Sequence, residues 1–132
     1  MSKIMVVDDD KEFTTLYKEF LKMVGYETIA ENQSSKAMEV ANAEKPDLFI
    51  LDLMMPEPDG FKLCRMLRAN YNFVRTPIII VTALNDEDSK MVALGAGAND
   101  YLTKPFHIDE LKMHIDTLLE RSGKSALQFK NL

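Results

Sequence analysis

Short unbroken apolar runs alternate along the chain with longer stretches in which apolar residues recur every three or four positions. Ile4-Met5-Val6-Val7, Leu48-Phe49-Ile50-Leu51 and Ile78-Ile79-Ile80-Val81 are the unbroken runs. Each is brief and bounded by polar or turn-forming residues, as expected of strands buried on both faces. The third strand is predicted from about Asp47 to Asp52, and the fourth closes at Thr82-Ala83. Tyr26 to Ala30 and Tyr101-Leu102-Thr103 read as two further strands, the former less apolar and so expected nearer a sheet edge.

The intervening stretches have helical period. Phe13, Leu16, Tyr17, Phe20, Leu21 and Val24 form one stripe, with Asp10 placed to cap its start and Gly25 beyond its end. A weaker helix begins at Ser34 or Ser35, carries Ala37, Met38 and Ala41, and stops at Lys45-Pro46. Asp59 precedes a helix bearing Phe61, Cys64 and Leu67; another runs from about Asp86 to Leu94 and gives way to Gly95-Ala96-Gly97-Ala98. Ile108, Leu111, Ile115, Leu118 and Leu119 mark the last, with Arg121 near its end and Gly123 beyond. Strands alternating with helices in this way predict an α/β fold: a single doubly wound (βα)5 domain with a parallel sheet and helices on both faces.

Composition narrows the setting. The 132 residues suit one domain, and 46% hydrophobic with 28% charged residues is ordinary globular usage. A net charge of −5 argues against direct nucleic-acid binding by this domain. The lone Cys64 cannot staple the fold and is read as buried packing in a reducing, cytoplasmic protein. Met1-Ser2-Lys3-Ile4 is too short and too soon acidic for a signal peptide, and no apolar run reaches membrane-spanning length.

The polar residues that close the strands carry the chemistry. Asp8 and Asp9 end the first, Asp52 the third and Thr82 the fourth, while Lys104 follows the fifth. In a parallel sheet these positions share one edge, where α/β proteins bind ligands. An isolated acid after an apolar strand is more often a turn cap; here three converge, and without a cation they would repel one another. Lys104 and a divalent cation would relieve that. An all-oxygen donor set favours Mg²⁺ over zinc. Carboxylates, a lysine and a hydroxyl around such a metal are equipment for phosphoryl transfer, and Asp52, ending the central apolar strand, is the candidate nucleophile.

Four segments, in this order, also match a known family: Val6-Val7-Asp8-Asp9-Asp10; Leu51-Asp52-Leu53-Met54-Met55-Pro56 with Asp59-Gly60; Ile80-Val81-Thr82-Ala83; and Gly95-Ala96-Gly97-Ala98-Asn99-Asp100-Tyr101-Leu102-Thr103-Lys104-Pro105-Phe106. Over about residues 3 to 121 the chain resembles a response-regulator receiver domain of two-component signalling. The resemblance implies strand order 2-1-3-4-5, residues 1–121 as the receiver and 122–132 as a tail or the start of a linker. It implies Asp52 as phosphoacceptor, receiving its phosphoryl group from a sensor histidine kinase or a phosphotransfer protein. Mg²⁺, with Mn²⁺ as a substitute, would be held by Asp9 directly, by Asp8 mostly through water, by Asp52 and by the Met54 carbonyl. Leu53, Thr82, Ala83 and Lys104 would surround the phosphoryl group; Tyr101 would be the aromatic switch residue moving with Thr82, although plain core packing is its alternative. The Lys104–Pro105 bond would be cis. The kinase would dock near the first helix and the loop before the last, and the output partner or domain would meet helix four, strand five and helix five, including Asp86, Lys90, Met91, Leu94 and Lys112. That face would also serve a phosphorylation-dependent homodimer.

Simpler roles are read for other residues. Asp10 is a helix cap, and His107 and His114 are solvated or capping residues without zinc spacing. Leu127, Phe129 and Leu132 make the C-terminus more apolar than a typical free tail, pointing to a linker or dimer contact. Met54 and Leu84, two residues after Asp52 and Thr82, cannot hold an attacking water, so loss of phosphate is expected to be slow. Two other functions compete. A Mg²⁺-dependent aspartyl phosphatase needs an acid where Met54 stands and a cap this chain length does not accommodate. A docking module that has lost phosphorylation should lack an acid, the threonine or the lysine, and all are present.

Overall fold

The computed structural model describes residues 1–123. The three apolar runs are inner strands: β1 (Lys3–Val7), β3 (Leu48–Leu51) and β4 (Ile78–Thr82). β2 (Glu27–Glu31) and β5 (Asp100–Thr103) flank them, giving a parallel sheet in the order β2-β1-β3-β4-β5. Val7 lies level with Leu51, Leu51 with Ile80, and Thr82 with Thr103. This register brings the strand ends to one edge.

Alternation along each strand divides the core in two. Met5, Val7, Phe49, Leu51, Ile78 and Ile80 face α2 (Ala37–Glu44), α3 (Gly60–Ala69) and α4 (Glu87–Gly95), meeting Ala41, Leu63, Cys64, Leu67 and Ala93. Ile4, Val6, Leu48, Ile50, Ile79 and Val81 face α1 (Lys11–Met23) and α5 (Ile108–Arg121), where Tyr17, Leu21, Leu111, Ile115 and Leu119 close the other layer. Inner strands covered on both sides must be apolar at every position, which is why they carry no alternation in the sequence.

Three local readings shift. β2 begins at Glu27 rather than Tyr26, whose hydroxyl instead donates to Asp116 on α5. Ser34–Lys36 is a 3₁₀ turn, and α2 proper starts at Ala37; buried Ser34 donates to the Pro56 carbonyl, 2.7 Å away. A second 3₁₀ turn at Tyr71–Phe73 follows α3. Asp10, Asp59 and Asp86 cap α1, α3 and α4 through their side chains, and Cys64 is fully buried. The apolar residues Leu127, Phe129 and Leu132 lie outside the described residues.

Arg68, which no sequence pattern singles out, ties the sheet's far end together. Its guanidinium donates to the carbonyls of Gly97 (2.9 Å), Phe73 (2.9 Å) and Thr76 (2.6 Å) and to Asn99 Oδ1 (2.8 Å). Asn99 Oδ1 also accepts from the Ile78 amide at 2.8 Å. One side chain thereby satisfies the turn entering β4 and the turn leaving α4. Gly97 is required beneath it: φ is +114°, and a Cβ would lie 2.5 Å from Arg68 Cγ.

Candidate functional site

Asp8 follows β1, Asp52 follows β3, Thr82 ends β4 and Lys104 follows β5. The Asp52 amide donates to the Val7 carbonyl (3.1 Å) and the Lys104 amide to the Thr82 carbonyl (2.8 Å), so the ladder continues one step beyond the strands and fixes the backbone of both residues. Asp8, Asp52 and Thr82 are buried, whereas Asp9 is exposed. Each of the three acids offers a carboxylate oxygen, and these oxygens lie within 4.8 Å of one another.

Lys104 Nζ donates to Asp8 Oδ2 at 2.8 Å and to Asp52 Oδ2 at 3.3 Å. The other oxygens are held by backbone: Asp8 Oδ1 accepts from the Asp10 amide (2.9 Å) and Asp52 Oδ1 from the Met54 amide (3.2 Å). Behind Asp8, Asn32 Nδ2 donates to the Asp8 carbonyl (2.9 Å) and to Thr14 Oγ1 (3.0 Å). Gly60 packs so tightly under Asp52 that a Cβ would sit 2.1 Å from the Asp52 carbonyl oxygen.

One ammonium faces three carboxylates, so the site carries surplus negative charge. Burial pushes the Asp8 carboxyl above its ordinary range; the Lys104 and Asp10 bonds pull back only part of that, and Asp52 adds repulsion. Burial pushes Lys104 down, but its bond to Asp8 and the two neighbouring carboxylates outweigh this and hold it above the ordinary lysine value. Both values rise, which favours the charged lysine because it answers two carboxylates, and the neutral acid because Asp8 is charged at the cost of its own hydration. The raised carboxyl has a stability consequence. Its contribution is fully present below the unfolded value of 3.8 and is lost as pH rises through the higher folded value. In metal-free buffer, Asp8→Asn is therefore expected to gain stability relative to the wild type as pH rises above the ordinary carboxylate value of 3.8, as denaturant titrations across the acid range would show. A gap that stays constant across that range would refute it.

An oxygen-only donor set with surplus negative charge fits a hard divalent cation. Asp8, Asp9 and Asp52 are the side chains that could hold it. Leu53 sends its side chain into the core, so what it offers at the edge is backbone. Met54 projects an exposed side chain while its amide bonds Asp52. Ala83 is exposed beside the buried Thr82, whose Oγ1 accepts from the Leu84 amide at 3.4 Å. Tyr101 is half-buried, and its hydroxyl donates to the Leu84 carbonyl at 2.7 Å; it is neither free nor plain core. The Lys104–Pro105 bond is cis, as the resemblance implies, and so is Glu57–Pro58.

Three supporting residues escape a sequence reading. Asn32 follows β2 and would have been found by asking what every strand end carries. Phe13 reads as one more stripe position, yet its ring lies 4.0 Å from Lys104 Nζ. His114 reads as a solvated or capping residue; its Nδ1 is 2.7 Å from Asp100 Oδ2, linking α5 to β5.

With this geometry the comparisons with known proteins agree. The family model described as the response regulator receiver domain matches residues 4–116. The alkaline phosphatase synthesis transcriptional regulatory protein PhoP of Bacillus subtilis is 39% identical over 124 residues, 94% of this chain and 51% of that protein. The transcriptional regulatory protein CpxR of Escherichia coli is 39% identical over 131 residues, 99% of this chain and 55% of that protein. The chain thus spans about half the length of these relatives. Among solved structures, the BeF3-activated N-terminal receiver domain of Klebsiella pneumoniae RstA is similar, with a TM-score of 0.84 and 35% identity, covering 89% of this chain and 98% of that one. Among the described residues no helix is long and apolar enough to cross a membrane. By its sequence, its strand order and the residues at its sheet edge, the chain belongs to the response regulator receiver domain family.

Proposed function

We propose that Asp52 accepts a phosphoryl group from the phosphohistidine of a sensor kinase or phosphotransfer protein in the cytoplasm, and that the modified domain signals to an output domain or partner. The observation that supports this most strongly is the convergence of the Asp52 carboxylate with Lys104 and the Asp8–Asp9 pair at one sheet edge. One Asp52 oxygen forms the new bond to phosphorus as the bond from phosphorus to imidazole nitrogen breaks, and the imidazole leaves with a proton. Lys104 shields the approaching negative charge. Thr82 Oγ and the backbone amides at Leu53 and Ala83 receive the transferred oxygens. A Mg²⁺ ion held by Asp8, Asp9, Asp52 and the Met54 carbonyl would neutralise charge on those oxygens.

The hydroxyl of Tyr101 and the oxygen of Thr82 both bond the residue Leu84, through its carbonyl and amide respectively. Drawing Thr82 toward a phosphoryl group would break that arrangement and change the α4–β5–α5 surface, where Met91 is 67% and Leu94 42% exposed. This is a population shift driven by contacts made only in the phosphorylated state. Lys90, Asp86 and Lys112 belong to the same output face, which also serves a phosphorylation-dependent homodimer. The kinase docks in the apolar groove between α1 and Pro105–Phe106.

Incubation with phosphoramidate and Mg²⁺ is expected to add one phosphoryl mass, lost on addition of EDTA beforehand and absent in Asp52→Asn. No mass gain in the wild type would sink the proposal. In a chase, the phosphoryl group is expected to persist well beyond a few minutes, since neither Met54 nor Leu84 offers a hydrogen bond to an attacking water. A lifetime of seconds to a few minutes would show that another group does so.

A further inference from the structure

Phe13 does more than complete the apolar stripe of α1. Lys104 has three ammonium hydrogens, and two carboxylates account for two of them. Among the described residues no third acceptor bonds Nζ; instead the face of the Phe13 ring lies 4.0 Å away, centroid to nitrogen. That is the geometry in which a ring quadrupole attracts a cation, and the attraction is strongest when water is excluded. Water is largely excluded here, because the Lys104 side chain is only 12% exposed.

The ring is itself braced. Phe13 packs against Tyr17 at 6.1 Å between centroids, and Tyr17 stacks on Phe106 at 6.3 Å with planes 17° apart. Phe106 is two residues beyond Lys104, so the aromatic row starts under the ammonium and returns to the same loop. The same three rings line a groove of about 550 Å³ with Leu16, Phe20 and Ile108. A lysine on a four-carbon stem loses much rotamer freedom when held in one place. The aromatic row supplies a surface against which one rotamer is favoured without adding a competing acceptor.

We infer that Phe13 is a positioning residue for Lys104: its ring holds the ammonium between Asp8 and Asp52, ready to meet the incoming phosphoryl group. This rests on the phosphoacceptor reading above. An aliphatic side chain would fill much of the same space and keep the core, but it would leave the ammonium without its third neighbour.

The test uses the intact chain, Phe13→Leu and Phe13→Tyr, with two readouts. In metal-free wild type, ring current from Phe13 is expected to move the Lys104 side-chain resonances upfield of the other lysines. The displacement should vanish in Phe13→Leu and survive in Phe13→Tyr. Phosphorylation by phosphoramidate with Mg²⁺ is expected to slow roughly five- to ten-fold in Phe13→Leu and to stay within about two-fold in Phe13→Tyr. The ring current reports the contact itself, and a packing role alone, which leucine also fills, would leave the phosphorylation rate of Phe13→Leu nearly unchanged. Ordinary Lys104 resonances in the wild type would overturn the inference, whether or not either variant folds. So would an unchanged rate in Phe13→Leu. A wild type that takes no phosphate would defeat the phosphoacceptor reading, while the resonances would still decide the contact.

Discussion

Lys104→Met should weaken the fold in metal-free buffer by about 2 kcal/mol and recover most of that loss when Mg²⁺ is added. Methionine keeps much of the stem's volume, so the change isolates the charge. Without the ammonium, Asp8 Oδ2 and Asp52 Oδ2 lose their shared donor, at 2.8 and 3.3 Å, inside a nearly dry edge. Removing one partner of a fully buried pair costs roughly 3–5 kcal/mol, and the partial exposure of Lys104 and the freedom of Asp8 to take a proton reduce it here. Phosphorylation by phosphoramidate should slow about a hundred-fold, the scale on which removing one preorganised donor acts. Denaturant titration with and without Mg²⁺ and the phosphorylation rate check the two halves separately. Wild-type stability without metal would mean that the carboxylates find relief elsewhere. A wild-type rate would mean that Lys104 does not face the reacting phosphoryl group.

Gly60→Ala should be the most damaging single-methyl change in the described chain, costing about 3 kcal/mol or more. The added carbon would meet the Asp52 carbonyl oxygen at 2.1 Å, Leu53 Cα at 2.6 Å and the Asp52 carbonyl carbon at 2.8 Å. All three are backbone atoms and cannot rotate away. The Gly60 amide also donates to the Leu53 carbonyl at 3.1 Å, so relief by moving α3 would break a bond that holds the loop. The displaced backbone is that of Asp52, and phosphorylation should fall with stability. Gly95→Ala is the matched control: no atom lies within 4 Å of its Cβ, and alanine in a helix is worth up to about 1 kcal/mol over glycine. Urea midpoints for the two variants should therefore move in opposite directions, and equal midpoints would show that α3 rides freely over the Asp52 loop.

Both predictions concern residues that a sequence reading reaches by different routes. Asp8, Asp9, Asp52, Thr82 and Lys104 were legible because each closes or follows an apolar run, and parallel topology collects such ends on one edge. Gly60 was legible only as a member of a motif; that its missing side chain makes room for the Asp52 peptide is a fact of packing. Asn32 follows the same strand-end rule as the acids but was hidden by the weak pattern of β2, an edge strand whose residues are only half-covered. Arg68 gave no signal, because a charged residue on an amphipathic helix ordinarily faces water. His114 likewise reads as surface until β5 brings Asp100 beside it.

By itself, then, the sequence determined the alternation of strands and helices, the caps, the two-sided burial of the inner strands and the identity of the edge residues. These follow from local spacing: period two or unbroken runs for strands, three and four for helices, and breakers between them. The tertiary structure alone decided which charges pair, and with what. Lys104 lies 96 residues from Asp8 and 52 from Asp52, and only the strand order places its ammonium between them, over a ring from α1. No local pattern encodes such a meeting, because its energy depends on separations and on excluded water that exist only after the sheet has closed.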